Sequence, residues 1–145
     1  MKQSLTFIAL LFFSTLSWSQ IDFKTGDAAL NIELNDINSE AKKDLESFKK
    51  KLLVEHQISG EKAEKLLNIM EPAEVLLSGR LKDLLDISID VVVQSYEKNK
   101  SKGWGAIAKD LGIKPGSPQF HALKGKSKKS KGNSGKSKGK GKSKS

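Results

Sequence analysis

From residue 39 to residue 123 the apolar positions recur three or four apart, the spacing that puts side chains on one face of an α-helix. Ala41, Leu45, Phe48 and Leu52 share such a face, and Ser39 is placed to cap a helix running to about His56. Ser59-Gly60-Glu61 reads as the next helix start, with Ile58 set to pack on its first turns and Ala63, Leu66, Leu67 and Met70 on its apolar side. Pro72 suits the first turn of a further helix, where its missing N–H is not needed. Val75, Leu76, Leu77, Leu81, Leu84 and Leu85 follow it. Gly79 sits inside that helix and weakens it by up to about 1 kcal/mol relative to Ala, which leaves room for a break near Gly79-Arg80.

Ser88 caps another helix, with Ile89, Val92, Val93 and Tyr96 on one face. The run Val91-Val92-Val93 would also suit a strand, but the helical spacing and the polar Gln94, Ser95 and Glu97 decide for helix. Residues 99–103 are polar and end it. A short helix then covers about 104–111, with Gly112 as its C-terminal stop. Lys114-Pro115-Gly116 is a turn signal, and Ser117-Pro118 opens a last helical turn through Leu123. Upstream, Leu30, Ile32 and Leu34 alternate with polar residues and predict a short strand or extended segment, although the helical period can be traced back through Leu34 and Leu30. Asn31, Asn35, Asp36 and Asn38 favour a non-helical entry, because such side chains compete for backbone hydrogen bonds. The expected fold is all-α, a small bundle of five or six short helices over residues 20–123.

Residues 103–124 read GWGAIAKDLGIKPGSPQFHALK. This stretch resembles the C-terminal block of an uncharacterised group of small exported bacterial proteins. A Phe48-centred helix, the Met70-Glu71-Pro72 step and Tyr96 extend the likeness loosely upstream. The resemblance implies the architecture and assigns no functional residue. The residues also have a physical reading of their own. Gly103 and Gly105 flank Trp104 and let backbone pass close to a large ring. Ile107, Ala108, Leu111, Ile113, Phe120 and Leu123 supply apolar contacts around the Pro115-Gly116 turn. Gly103, Trp104, Gly105, Pro115, Gly116 and Phe120 then form a structural corner that closes the core. The alternative is a helix-turn-helix over 106–124, whose second helix would offer Gln119, His121 and Lys124 as polar contacts.

Both ends of the chain differ from this body. Lys2 precedes an apolar run over residues 5–16, and Ser17-Trp18-Ser19-Gln20 follows with small residues where a signal peptidase reads. This is the layout of a secretory signal peptide over residues 1–19, cut after Ser19, since a run of 12 apolar-rich residues is shorter than the ~20 a membrane span needs. The expected destination is periplasmic or extracellular. The chain has no cysteine, which excludes disulfides and thiolate metal sites. Its net charge of +9 is concentrated at the other end. Residues 124–145 hold ten lysines and no acid, whereas the remaining 123 residues hold 16 basic and 17 acidic side chains. Only Lys, Ser, Gly and one Asn follow Lys124, so nothing there offsets the entropy of ordering and a disordered tail is expected.

Little in the sequence points to catalysis. His56 and His121 each lack a second His three or four residues on, so no helical metal pair exists. Glu55 adjoins His56, but neighbouring helix positions diverge. No G-x-S-x-G elbow, phosphate loop or dinucleotide fingerprint occurs. Pro115-Gly116-Ser117-Pro118 is better explained by helix capping than by an activated hydroxyl. Glu46, Glu61, Glu64, Asp83 and Asp86 lie among lysines, as solvated charge does. The expectation is a protein that is not an enzyme, with no catalytic residue, metal or cofactor.

The basic tail carries the functional expectation. Lys124, Lys126, Lys128, Lys129, Lys131, Lys136, Lys138, Lys140, Lys142 and Lys144 on a Gly/Ser chain form a mobile cation suited to polyanions. The expected partner is an anionic surface such as lipopolysaccharide, anionic polysaccharide or anionic lipid. The alternative is nucleic acid, bound through 106–124 plus the tail. The tail lacks aromatic rings for stacking and arginine forks for bidentate phosphate contact, so its own selectivity should be low. A solubilising tail without a dedicated partner is the third reading.

Overall fold

The computed structural model describes residues 19–124 of the chain; the signal peptide expected over residues 1–19, apart from Ser19, and the tail expected over 124–145, apart from Lys124, lie outside the described residues. The described residues form seven helices and no strand. They are α1 (Ala28–Lys43), α2 (Leu45–His56), α3 (Gly60–Leu67), α4 (Pro72–Leu85), α5 (Ile89–Asn99), α6 (Trp104–Asp110) and α7 (Pro118–Ala122). The all-α expectation therefore holds, with one helix more than anticipated.

The local signals for α3, α5 and α7 act as read. Ser59, Ser88 and Ser117 each cap a helix by accepting a backbone N–H three residues on. Pro118 stands in the first turn of α7. Pro72 does the same in α4, where Glu71 and Glu74 form a reciprocal capping box. Helix α4 is buried almost all round, with Ala73, Val75, Leu76, Leu77, Ser78, Gly79 and Leu81 all inaccessible. A helix apolar on every side belongs at the centre of a bundle, and α4 packs against α1, α2, α3 and α5.

Two expectations are corrected. The segment around Leu30 is helical, α1 starting after an Asp27 cap, so Ser39 lies inside a helix and caps nothing. Its asparagines turn chiefly to partners outside their own helix, although Asn35 Nδ2 also donates to the Asn31 carbonyl one turn back at 2.9 Å. Asn31 Oδ1 accepts the Phe23 N–H at 2.8 Å, Asn35 clamps Ile21, and Asn38 Oδ1 accepts the Ala73 N–H at 2.7 Å. Each amide serves a partner elsewhere in the chain, and so the helix keeps its ladder. Second, the expected helix over 39–56 is interrupted at Asp44, which is non-helical (φ −147°, ψ 84°) and caps α2 by accepting the Ser47 N–H. The interruption shifts the helical phase, so Ala41, Phe48 and Leu52 are buried while Leu45 is 42% exposed.

The helix read through Gly79 is continuous, and the break that Gly79 left open does not occur. The missing side chain makes room for a neighbour, since a Cβ at Gly79 would stand 2.8 Å from His56 Cγ. That glycine is a packing device for the α2–α4 contact.

Candidate functional site

The corner anticipated around Trp104 is a crossing of two chain segments. Gly103 adopts φ +89° at the start of α6, a conformation L-residues avoid. The segment 23–25 runs across that helix start. Its carbonyls at Phe23 and Lys24 accept the Trp104 and Gly105 N–H groups at 3.0 and 2.9 Å. Two N–H groups that a helix start leaves unpaired are thus satisfied by distant backbone. A Cβ on Gly103 would overlap Lys24 Cβ at 2.3 Å, and one on Gly105 would approach the Lys24 and Thr25 carbonyls at 3.2 Å. Trp104 and Phe120 are both buried, whereas Pro115 and Gly116 are exposed, Gly116 turning at φ +75°.

Beneath the corner lies a polar node built on Glu74. The Trp104 indole N–H donates to Glu74 Oε1 at 3.0 Å, and the Glu71 N–H donates to Oε2 at 2.9 Å. The Tyr96 hydroxyl lies 3.3 Å from Glu74 Oε2 and 3.3 Å from the Ile69 carbonyl. The Tyr96 and Trp104 rings pack at 5.6 Å between centroids. Burial, reinforced by the Glu74 charge, pushes the Tyr96 phenol up to about 12. Glu71 in turn pairs with Lys42 at 2.7 Å and faces the Asn38 amide. The node ties α1, α5 and α6 to the N-terminus of α4, and its carboxylates are held by structural donors.

The two histidines are far from equivalent. His56 is buried against Gly79, with Nδ1 2.6 Å from Asp83 Oδ2. The carboxylate can only accept, so the ring proton sits on Nδ1. Burial alone would raise Asp83, but hydrogen bonds from Lys82 and His56 outweigh it and hold the carboxyl below its ordinary value. Glu55 Oε2 stands 4.0 Å from His56 Nε2, closer than their adjacency in sequence implied. His121 is exposed and meets Phe120 edge-on at 6.4 Å. The His56–Asp83 pair has no local signature, since its members lie 27 residues apart. Its one trace in the sequence is Gly79, a turn before Asp83 on the same helix. Among the described residues no group of three His, Cys, Asp or Glu side chains could hold a metal ion.

Asp110 is claimed by Ser95 at 2.8 Å and Lys98 at 2.9 Å, and those hydrogen bonds, Lys98 first, hold it below its ordinary value.

Of the ten tail lysines, Lys124 alone is described, and it belongs to the domain. Its Nζ lies 2.5 Å from Asp27 Oδ2. The other Asp27 oxygen caps α1 by accepting the Leu30 N–H at 2.9 Å. The Lys124 hydrogen bond is the main reason the Asp27 carboxyl is held low. One residue earlier, the Leu123 carbonyl accepts from Arg80 Nη1 at 2.9 Å while Arg80 Nη2 reaches Glu33 at 2.8 Å. Arg80 is the sole arginine in a chain that otherwise uses lysine. It stands where one side chain must bind two acceptors at once, a task the planar guanidinium fork performs and an ammonium does less well. Lys126, Lys128, Lys129, Lys131, Lys136, Lys138, Lys140, Lys142 and Lys144 lie outside the described residues. For the helix-turn-helix alternative, Gln119 and His121 are exposed on a five-residue α7, and Lys124 is engaged by Asp27.

The chain matches no family model, no curated protein and no solved structure.

Proposed function

We infer that this protein is an exported, non-enzymatic helical module, held by its lysine-rich C-terminal segment to anionic envelope components. Lipopolysaccharide, anionic polysaccharide and anionic phospholipid are the partners this chemistry fits. The observation that carries the reading is the separation of charge: ten lysines without an acid in residues 124–145, against a body that is nearly neutral. Such a segment gains up to about 1 kcal/mol per lysine beside an anionic membrane, and needs no shaped pocket to do so. The anchoring of Leu123 and Lys124 by Arg80 and Asp27 supports the reading by giving the segment a fixed point of departure from the body.

The position of Lys124 also decides how the test is built. Truncation belongs after Lys124, so that the Asp27 pair survives in the shortened chain. The mature protein and this version are compared for binding to lipopolysaccharide, to vesicles containing anionic lipid and to DNA across a salt series. The expected result is tight binding of the longer chain that falls steeply with salt and is lost on truncation. Equal binding by both, or by neither, would refute the tether. Sequence-selective DNA binding that survives truncation would favour the alternative over residues 106–124.

A further inference from the structure

Among the described residues, Ile21 is the first clamped to the helical body. Its N–H donates to Asn35 Oδ1 at 2.8 Å and its carbonyl accepts from Asn35 Nδ2 at 2.9 Å. Phe23 follows, its N–H on Asn31 and its ring buried. Ser19 and Gln20, by contrast, are exposed, at the rim of a groove of about 370 Å³ that Asn35, Asn38, Ser39 and Lys42 also line. The bond after Ser19 thus lies at the surface, just outside the first clamp, where a peptidase reaches it without opening α1. Cleavage there rests on the export reading given above, and it would make Gln20 the first residue of the mature chain.

An amino-terminal glutamine carries a nucleophile and an electrophile in one residue. We propose that Gln20 is a modification site, and that it closes to pyroglutamate once the signal is removed. The α-nitrogen attacks the side-chain Cδ, a new C–N bond closes a five-membered lactam, and the Cδ–Nε2 bond breaks. The departing nitrogen takes one proton from the amine and leaves as ammonia. No electrons change hands and no co-reactant is consumed.

Holding the two groups in one residue supplies an effective concentration on the order of 10⁵–10⁸ M in well-oriented cases. An α-amine with an ordinary pKa of about 7.7–8.0 is partly unprotonated near neutral pH, which provides the nucleophile. Exposure leaves the Gln20 side chain room to fold back on its own nitrogen. The Asn35 clamp holds the Ile21 N–H and carbonyl, neither of which takes part in ring closure. The product is a neutral end with no α-ammonium group, closed to ordinary aminopeptidases, while the positive charge stays at the opposite end of the chain.

The test begins with the full chain expressed with its own residues 1–19 in an exporting bacterial host. Free amines of the exported protein are methylated before proteolysis, and the N-terminal peptide is read by mass spectrometry. The expected peptide starts at Gln20, is unmethylated at its end, and is lighter than linear glutamine by one ammonia. A methylated, linear Gln20 after prolonged incubation at neutral pH would overturn cyclisation while leaving the export reading standing. A peptide beginning at Met1, or at any residue other than Gln20, would overturn cleavage after Ser19 and the proposal with it. In Gln20→Ala the end should be cut at the same bond and carry the methyl label. An unlabelled end in that variant would assign the block to something other than the lactam.

Discussion

Replacing Gly79 with alanine sets two physical effects of opposite sign against each other. Helix propensity alone favours Gly79→Ala by about 1 kcal/mol, because glycine in a helix interior gives up more backbone entropy. The tertiary contact opposes it. The new Cβ would stand 2.8 Å from His56 Cγ and 3.0 Å from His56 Cβ, the root of the side chain and not its mobile end. Either the imidazole turns or α2 shifts, and overpacking of this kind costs about 1–3 kcal/mol. Turning the ring also strains its 2.6 Å contact with Asp83, a partly exposed pair that adds at most about 1 kcal/mol. The expected net effect is a destabilisation of about 1–2 kcal/mol. For a domain of roughly this size each kcal/mol lowers Tm by about 4–8 °C. Thermal and urea unfolding of the protein measures it, and His56→Ala supplies the control. With the ring removed only the 3.0 Å approach to the residue-56 Cβ remains, so the propensity gain of about 1 kcal/mol should offset most of the cost and bring the effect of Gly79→Ala close to zero in that background. A rise in Tm for Gly79→Ala with His56 intact, or the same shift in both backgrounds, would refute the account of Gly79 as a packing device.

Tyr96 is the chain's one tyrosine, so its phenolate absorbance is unambiguous. It should titrate near 12 in the folded protein and near 10 once unfolded. Because the folded value is the higher one, the stability this group contributes is complete below about 10 and is lost as pH rises through about 12; a folded-state titration near 10 would contradict the burial of Tyr96 against Glu74. Asp27 is held low, so its contribution is present above the ordinary aspartate range and disappears as pH falls through its folded value. Asp27→Asn should therefore flatten the acid limb of the stability–pH curve measured by urea unfolding. Arg80→Lys keeps the charge but loses the fork, and should cost about 1 kcal/mol. It should also speed amide exchange in α7 ahead of α4, as read by hydrogen-exchange mass spectrometry.

Much of the helical plan was legible because its causes are local. The serine caps of α3, α5 and α7 find their N–H partners three residues away. Pro72 and Pro118 act within a single turn, and the positive φ of Gly112 is set by its own missing side chain. The apolar spacing carried the rest, since a helix with one buried face must repeat at its own period. The corner was half legible: the small residues around Trp104 announced a close approach, and nothing local identified residues 23–25 as the strand of chain that approaches. The separation of a neutral body from a lysine-rich end is likewise a property of composition alone.

What the tertiary structure decided lies at longer range. Asn31, Asn35 and Asn38 look like helix breakers because a side-chain amide competes with nearby backbone. They are tolerated because Phe23, Ile21 and Ala73 occupy those amides from 8, 14 and 35 residues away. Asp44 interrupts one apparent helix and rotates Leu45 out of the face it shares on paper with Phe48. Lys124 reads as the first residue of a solvated tail until Asp27 is brought within 2.5 Å of it. Gly79 reads as a weakness until His56 is set against it. A sequence states each residue's capacity to donate, accept or leave space, and chain folding alone determines which distant group takes up that capacity.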